Sequence, residues 1–305
     1  MNQRLEGVDA AILARVAVLV VNFNTIDVLG RCLATLAPGQ ESGLEVVVVD
    51  NGSADGSPGM VRRDFGWVTL LETGANLGFG GGVNRGAATT AREFLLVLNP
   101  DCFVEPDSIV ILAGRLAEDP NLGFAGPRID LGSGAVDHAA LRADPDPLGA
   151  ALYFSRIPRL FPESAALNRY SLSHADYDAE QELEAGTAAC LMIQASAFRV
   201  VGGFDEAFFM YGEDLDLCRR LRAAGYAGRY VPSAHALHLK GEASRKQSSR
   251  MLVEFHKAMW TYYRKHEQRR HAAPVNWVVA AGIGTLGAAR LALNAVRREK
   301  QVSRR

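Results

Sequence analysis

The chain has 305 residues and a mass of 32.9 kDa, enough for one large domain or for two of about 150 residues. Hydrophobic residues make up 48% and charged residues 22%, which excludes global disorder. The formal net charge of -1 argues against a nucleic-acid-binding protein, although residues 257–305 hold eleven lysines and arginines against two glutamates. This uneven charge predicts a basic C-terminal tail that faces an anionic partner.

The chain contains four cysteines: Cys32, Cys102, Cys190 and Cys218. They are far apart and form no Cys-x-x-Cys pair, so neither a zinc knuckle nor a disulfide framework is indicated. Apolar neighbours of Cys32 and Cys190 predict buried thiols, which fits a reducing cytoplasm. At the N-terminus, Glu6 and Asp9 precede the first apolar run, so no signal peptide is predicted.

Short β-branched runs alternate with helical patterns through the first 130 residues. Strands are predicted at 16–23, 44–49, 68–71 and 94–98, and helices at 26–37, 82–92 and 106–116. This alternation predicts an α/β fold with a Rossmann-like, mostly parallel sheet flanked by helices. Ligands bind such sheets beyond the carboxyl ends of the strands, and polar clusters follow three predicted strands, at 22–25, 50–53 and 99–101.

The segment 131–185 loses this pattern. Its prolines, glycines and scattered aromatics are typical of a long irregular segment, commonly a mobile binding loop. Regular elements then return, with strands predicted at 187–194 and 226–231 and helices at 214–224 and 244–266. We therefore divide the chain into a first half (1–130), a second half (131–250) and C-terminal helices with the basic tail (251–305).

An apolar run at 275–289 is free of charge for fifteen residues and is followed by Arg290. A membrane-spanning helix needs about 20 apolar residues, so a span is the least favoured interpretation. Two others stay open. The run is either a packed terminal helix or an interfacial helix whose flanking arginines contact anionic lipid.

A carboxylate and a tight turn follow the second predicted strand. Asp50 ends that strand, and the residues 51–57 (NGSADGS) favour turns and helix caps. A carboxylate in this position can accept hydrogen bonds from a nucleobase or ribose. The alternative is an ordinary turn that caps the next helix.

A glycine-rich segment occupies residues 74–86 (GANLGFGGGVNRG). Six glycines would let the backbone approach a ligand closely, although a flexible loop before a helix explains them equally well. The dinucleotide fingerprint is not met, because the third required glycine falls on Val83 or on Arg85. The chain also lacks a Gly-Lys dipeptide, so a P-loop is excluded and a Rossmann-type oxidoreductase is disfavoured.

Two further places could carry chemistry. Asp101 follows the fourth strand, where a carboxylate can bind Mg²⁺ or Mn²⁺, and His238 is a candidate second ligand. Three acids, Glu213, Asp214 and Asp216, follow an aromatic run; crowded carboxylates can raise a pKa for general-base catalysis. The plainer alternatives are a packed or surface histidine, and acids that complement a helix dipole.

The order of these segments is more specific than any one of them. In chain order they are VVNFN, VVVVDNGSADGS, NLGFGGGVNRG, LLVLNPD, GGFDEAFFMYGEDLDLCRRLRAAGY and HLKGEAS. Across residues 15–245 this order resembles family 2 glycosyltransferases, in particular bacterial rhamnosyltransferase-like enzymes. The resemblance implies a GT-A fold, a nucleotide-sugar donor, a divalent cation (Mg²⁺ or Mn²⁺) and inversion at the anomeric carbon.

The resemblance assigns donor binding to the first half of the chain. Asp50 matches the acid that contacts the base of the donor. The segments that line the nucleotide pocket hold Asn24, Asn76, Gly78 and Asn84. Asp101 matches the last acid of the DxD motif and is implied to bind both donor and metal, although Asn99 stands in place of the first acid.

The resemblance assigns acceptor binding and catalysis to the second half. His238 matches the histidine that helps hold the metal and the diphosphate. Asp214 matches the general base of the ED motif. Glu213 and Asp216 are expected to orient the acceptor or to support Asp214.

The implied activity is transfer of a sugar, with L-rhamnose from deoxythymidine-diphosphate-rhamnose favoured, to a lipid-linked or polysaccharide acceptor in cell-envelope glycan synthesis. The basic tail and the apolar run fit a cytoplasmic protein in peripheral contact with the inner face of the membrane. A UDP-sugar donor, including a galactofuranose donor, stays open. A nucleotide-sugar-binding module without turnover also stays open because of Asn99, although the intact Glu213, Asp214 and His238 argue against it.

Overall fold

The structure is a computed structural model that describes residues 9–240 and 249–302, the last seven by backbone alone. Within these residues nine strands form one sheet. They are β1 (Val16–Asn22), β2 (Glu45–Asp50), β3 (Thr69–Glu72), β4 (Phe94–Leu98), β5 (Cys102–Val104), β6 (Leu122–Leu131), β7 (Gln181–Glu182), β8 (Cys190–Gln194) and β9 (Ala227–His238). The order across the sheet is β3-β2-β1-β4-β8-β6-β9-β5, and β7 pairs with β9.

The sheet is mixed but mostly parallel, as predicted. Strands β3, β2, β1 and β4 run parallel, and so do β6 and β9, whereas β8 is antiparallel to both of its neighbours. All seven residues of β1 are buried, because helices cover both faces of the sheet. Strands from both halves of the chain belong to this one sheet, with β8 and β9 lying between strands of the first half. The division near residue 130 stays a prediction.

Helices surround the sheet. They are α1 (Ile26–Leu36), α2 (Ser57–Asp64), α3 (Gly78–Ala87), α4 (Pro106–Glu118), α5 (Pro147–Ser155), α6 (Ala195–Val200), α7 (Glu213–Ala223), α8 (Ser249–His266) and α9 (Ala273–Val302). Six elements were not predicted from the sequence: α2, α5, α6, β5, β6 and β7. Two of them, α5 and β7, lie in the segment 131–185 that was predicted to be irregular. The predicted start of the helix at 244, like the end of the HLKGEAS motif, lies outside the described residues.

Strand β9 runs seven residues past its predicted end at 231. The prediction stops there because Pro232 cannot donate to a strand ladder. In the structure, the register with β6 jumps from Val231 opposite Pro127 to His235 opposite Arg128. The proline therefore lies in a bulge, and the strand continues beyond it to His238.

The glycines of α3 serve packing on the sheet. A Cβ atom at Gly82 would lie 2.8 Å from Val21 Cγ1, and one at Gly86 would lie 2.9 Å from Val49 Cγ2. Both distances are shorter than carbon atoms tolerate, so only glycine lets this helix lie directly against β1 and β2. Two of the glycines that the sequence offers for ligand approach are thus used for helix–strand contact.

The C-terminal helices form an antiparallel hairpin. Asn276, near the start of α9, contacts Tyr263 near the end of α8, and Asn294 donates to Ser249 at the start of α8 over 3.3 Å. The stretch Ala273–Ala295 is long and apolar enough to cross a membrane, and 6% of its most apolar window is buried. The apolar run is therefore helical but scarcely packed within the described part of the protein.

Candidate active site

The predicted polar cluster at the strand ends is formed. Asn22 ends β1 and lies in register with Asp50, which ends β2. The buried Asp50 carboxylate accepts a hydrogen bond from Asn22 Nδ2 at 2.7 Å, and its other oxygen accepts from the backbone N–H of Ser53 at 2.9 Å. These bonds fix a charged group at the carboxyl edge of the sheet, where ligands of such folds bind.

Asn24 joins the loop after β1 to the turn after β2. It adopts a left-handed φ of 55°, its side chain accepts a hydrogen bond from Ala54 N at 2.7 Å, and its own N–H donates to Ser53 Oγ. Asn76 is exposed and accepts from Gly78 N at 2.9 Å. Both side chains therefore shape the loops around Asp50, and their contacts with a donor stay predictions.

Gly78 and Asn84 tie α3 to the segment that precedes α7. A Cβ at Gly78 would lie 2.4 Å from the carbonyl oxygen of Phe209, and Phe79 N donates to that oxygen. The Asn84 amide donates to Phe204 O and accepts from Phe204 N, both at 2.9 Å. These two donor-binding candidates hold the two halves of the site together, and their predicted contacts with the donor are not tested by the structure.

The ladder between β5 and β9 brings Asp101 and His238 together. Cys102 pairs with His238, so the preceding Asp101 lies beside the imidazole, with Oδ1 3.3 Å from Nε2. On the other side of the ring, Nδ1 lies 3.5 Å from Asp137 Oδ2. All three residues are buried. The predicted pair is thus adjacent, and a second acid, Asp137, lies on the other side of the histidine.

Electrostatics in this cluster favour the charged forms. Burial alone would lower the pKa of His238, but interactions with Asp101 and Asp137 outweigh it and raise that pKa to about 9. Burial would raise the pKa of Asp137, but His238 and Lys240 lower it well below its ordinary value. Sequence analysis did not identify Asp137 as a site residue, because it lies in the segment 131–185 with no motif around it.

The residues present fit a divalent cation that is shared with a diphosphate, provided that His238 Nε2 gives up its proton, because only a neutral imidazole binds a metal. Two atoms that each bind one cation at about 2.1 Å lie roughly 3 Å apart, and Asp101 Oδ1 and His238 Nε2 are 3.3 Å apart. Asp137 faces the opposite ring nitrogen, where a carboxylate orients a histidine ligand. Within residues 9–240 and 249–302 no group of three potential ligands surrounds one point, so the other ligands would come from the substrate and water.

The candidate base opens helix α7. Tyr211 and Gly212 both adopt left-handed conformations, with φ of 72° and 76°, and this tight turn places Asp214 in the first turn of the helix. Asp214 Oδ2 accepts a hydrogen bond from Arg142 Nη2 at 2.7 Å, and the two side chains are 14% and 13% exposed. Arg142 also donates to the carbonyl oxygen of Gly186. Arg142, in the irregular segment, was not predicted as a site residue.

Glu213 differs sharply from its neighbour. Its side chain is buried, and Oε2 has no hydrogen-bond partner among the described residues. Burial, followed by the charge of Asp214, raises the pKa of Glu213 to about 8. Glu213 is therefore a neutral acid at pH 7, next to the candidate base Asp214.

Asp216 ties α7 to the end of α8. The side chain is fully buried and interacts with Arg220 Nε, Lys265 Nζ and His266 Nε2, each at 2.7 Å. Burial would raise the pKa of Asp216, but the bonds to His266 and Lys265 and the charge of Arg220 lower it to about 2. This geometry supports the framework behind Asp214, and an acceptor contact by Asp216 stays a prediction.

Comparison with known proteins identifies the family. The family model for Glycosyl transferase family 2 matches residues 17–174, and that for Glycosyl transferase family group 2 matches residues 185–281. A curated N-acetylglucosaminyl-diphospho-decaprenol L-rhamnosyltransferase of Mycobacterium tuberculosis is 31% identical over 277 residues, which cover 87% of this chain and 89% of that protein.

Solved structures agree on the fold. A mannosyltransferase of Pyrobaculum calidifontis in complex with GDP-Man and Mn²⁺ superposes with a TM-score of 0.58 at 17% identity, over 95% of this chain and 75% of that one. GalNAc-T7 with UDP, GalNAc and Mn²⁺ superposes with a TM-score of 0.57 at 16% identity, over 82% and 47%.

The family models identify a glycosyltransferase, and the solved structures show that its fold is GT-A. The chain belongs to glycosyltransferase family 2 and is similar to rhamnosyltransferases within it. The family, the enzyme class and the fold predicted from the sequence are thereby confirmed. All four cysteines are buried and free, which confirms the buried thiols predicted at Cys32 and Cys190.

Proposed function

We propose that the protein transfers L-rhamnose from dTDP-rhamnose to an N-acetylglucosaminyl-diphospho-polyprenol, with inversion at the anomeric carbon. The observation that carries this proposal is the position of Asp214, half-buried at the start of α7 and fixed by Arg142. The rhamnosyltransferase name of a relative that matches along nearly the whole chain supports the donor sugar and the lipid-linked acceptor.

Asp214 acts as the general base. The acceptor hydroxyl oxygen forms a bond to C1 of the sugar from the face opposite the nucleotide, while the bond between C1 and the phosphate oxygen breaks. Asp214 takes the hydroxyl proton, and dTDP leaves with the bonding electrons. Arg142 binds Oδ2 and the backbone N–H of Leu215 binds Oδ1, so the carboxylate is held in one orientation.

The donor occupies the carboxyl edge of the sheet in residues 1–130. Asp50 accepts hydrogen bonds from the nucleotide base, and the loops shaped by Asn24, Asn76, Gly78 and Asn84 enclose the nucleoside. Asp101 and His238 would hold Mg²⁺ or Mn²⁺, and such a cation would supply positive charge at the departing diphosphate. Residues 131–250 bind the acceptor, with Glu213 close to its reacting sugar.

The proposed acceptor supports a cytoplasmic location at the inner face of the membrane. Nucleotide sugars are water-soluble, whereas a polyprenyl-linked acceptor is held in the bilayer. A cytoplasmic enzyme with an exposed apolar C-terminal helix can reach both substrates.

The test measures transfer from radiolabelled dTDP-rhamnose to N-acetylglucosaminyl-diphospho-lipid, with and without EDTA. We expect product only when Mg²⁺ or Mn²⁺ is present. Asp214→Asn is expected to lower turnover by about two orders of magnitude, the usual scale for loss of a general base, while dTDP binding measured by calorimetry is kept. Asp107→Asn is the matched control, since Asp107 is an exposed acid in the first turn of α4.

Three results would contradict the proposal. Near-normal turnover of Asp214→Asn would remove the residue from the role of base. Transfer from a UDP-sugar in place of dTDP-rhamnose would replace the donor, and binding of nucleotide sugars without any product would favour a non-catalytic binding module.

A further inference from the structure

Large exposed hydrophobic side chains concentrate in two segments. Of the thirteen in the described part of the chain, nine lie in residues 148–161 or 275–293. They are Leu148, Tyr153, Ile157, Leu160 and Phe161 in the first segment, and Val275, Trp277, Val278 and Leu293 in the second. Leu160 is 76% exposed and Trp277 is 73% exposed. Exposed apolar surface on this scale marks an interaction site.

The two segments meet in space. The rings of Phe154, in α5, and Phe255, in α8, lie edge to face with centroids 6.2 Å apart. The guanidinium of Arg290, in α9, lies 5.3 Å from the centre of the first ring and 5.7 Å from the centre of the second. Residues 148–161 and helix α9 are therefore neighbours, joined through one face of α8, and we call them together the apolar–basic surface.

Helix α9 is held against the protein along one side. A Cβ at Gly287 would lie 3.2 Å from the ring of His256 in the middle of α8, and polar contacts hold both ends of the hairpin. The other side carries Trp277 and Val278, which are largely exposed. This arrangement fits a helix that lies in the plane of a membrane, because a spanning helix would have to leave α8.

The described side chains of this surface carry charges of one sign. Residues 147–161 and 273–295 contain no aspartate or glutamate, whereas Arg156 and Arg159 are exposed in the first segment and Arg290 lies in the second. Within the described residues no carboxylate pairs with Arg290, which is held by aromatic rings instead. Apolar side chains beside unpaired arginines match an anionic bilayer, where hydrocarbon and phosphate lie next to each other.

The same surface continues to the candidate base. Tyr153 packs edge to face on Tyr170 with ring centres 5.2 Å apart, the Tyr170 hydroxyl interacts with Arg142, and Arg142 binds Asp214. A continuous series of contacts therefore links the exposed residues of 148–161 to the reacting end of the site.

We propose that the apolar–basic surface docks on an anionic phospholipid bilayer and holds Asp214 beside the head groups. Both segments bind together, so that the irregular segment and the C-terminal helix form one membrane contact. The benefit of this position to catalysis rests on the proposed lipid-linked acceptor, whereas the membrane contact itself does not.

The test is flotation of the full chain with vesicles of phosphatidylcholine, with and without phosphatidylglycerol. We expect flotation with the phosphatidylglycerol vesicles and its loss at high salt. Leu160→Ser/Phe161→Ser and Trp277→Ser/Val278→Ser should each weaken the partition by about tenfold or more. Val200→Ser, an equally exposed apolar residue on α6, is the matched control and should float like the wild type.

Several outcomes would overturn the proposal. One is that the wild type fails to float with phosphatidylglycerol vesicles, and another is that either double variant floats as well as the wild type. Resistance to alkaline carbonate extraction would also overturn it, since that result would show that α9 spans the bilayer. A dimer that Trp277→Ser/Val278→Ser dissociates, without change in flotation, would assign the surface to a second copy. Flotation needs neither donor nor acceptor, and Asp214→Asn should float normally, so this test fails or succeeds independently of sugar transfer.

Discussion

Arg142 Nη2 lies 2.7 Å from Asp214 Oδ2, in a pair whose side chains are 13% and 14% exposed. Arg142 comes from the irregular segment and Asp214 from the first turn of α7, so the pair fixes that segment against the helix that carries the candidate base. Burial alone would lower the pKa of Arg142, but the charge of Asp214 outweighs it and raises that pKa, which keeps the guanidinium charged.

Arg142→Ala should lower both turnover and stability. Without the guanidinium, Asp214 is a poorly hydrated carboxylate without its partner, and breaking such a pair costs about 3–5 kcal/mol when it is fully buried. We expect turnover to fall about tenfold or more, because the freed carboxylate loses its orientation. Turnover and urea unfolding measure the two effects.

Arg115→Ala is the control for this variant, since Arg115 pairs with Glu118 and Glu180 on the surface, where an ion pair contributes about 0–1 kcal/mol. Arg142→Lys keeps the charge but not the planar guanidinium, so its turnover and its stability should lie between those of the wild type and of Arg142→Ala. A folded Arg142→Ala protein with wild-type turnover would show that Asp214 needs no positioning by this residue.

Glu213→Gln should change how stability depends on pH. The pKa of Glu213 rises from an ordinary value of 4.5 to about 8 in the folded protein. Between pH 4.5 and about pH 8, Glu213 is ionised in the unfolded chain but protonated in the folded protein. The free energy of unfolding therefore falls as pH rises through this range. The slope is at most about 1.4 kcal/mol per pH unit.

Urea unfolding across this pH range measures the effect. Glutamine resembles the neutral acid, so the variant should lose this part of the slope and gain stability relative to the wild type as pH approaches 8. Glu163→Gln, at an exposed position, should leave the slope unchanged. Parallel pH profiles for wild type and Glu213→Gln would mean that Glu213 is ionised in the folded protein.

Three of the residues that sequence analysis placed in the site, Asp50, Asp101 and Asp214, lie where a strand ends or a helix begins. Asp50 and Asp101 follow apolar runs whose strand character is clear from composition alone, and parallel strands end at one edge of a sheet. Asp214 was placed by its match to a family motif. In each case a local signal marked the residue.

Arg142 and Asp137 had no such signal. Both lie in the segment whose pattern predicted only an irregular loop, and each meets its partner across a long sequence separation. The pairing of β6 with β9 determines where this segment runs, and β6 was missed because glycine and proline interrupt its apolar pattern. Long-range strand pairing, rather than local sequence propensity, therefore determines the positions of the two site residues that sequence analysis did not identify.

Asp216→Asn should destabilise the protein at neutral pH. The pKa of Asp216 lies at about 2 in the folded protein, below its ordinary value of 3.8. Its ionised form therefore stabilises the fold above pH 3.8, and this contribution is lost as pH falls through about 2. We expect the variant to lose about 2 kcal/mol at neutral pH.

The difference in free energy of unfolding between wild type and Asp216→Asn should close as the pH falls towards 2, because the wild-type carboxylate is then protonated and uncharged, like the asparagine. Chemical unfolding at several pH values measures this gap. Asp64→Asn is the control, since Asp64 is exposed and pairs only with the adjacent Arg63 among the described residues. A gap that stays constant with pH would assign the loss to packing rather than to charge.

Asp137→Asn should weaken metal-dependent nucleotide binding without removing a proposed ligand. The Asp137 carboxylate lies 3.5 Å from His238 Nδ1, on the far side of the ring from Asp101, and so orients the imidazole. Replacing such a partner typically costs 10–100-fold in metal affinity. We expect the calorimetric affinity for dTDP to fall about tenfold in Mn²⁺ and to stay unchanged in EDTA, because the effect requires the cation.

Asp130→Asn is the control, since Asp130 lies on β6 and interacts with Arg128 and the exposed His235. Equal losses in Mn²⁺ and in EDTA would mean that Asp137 supports the fold alone, and wild-type affinity in both would remove it from the site.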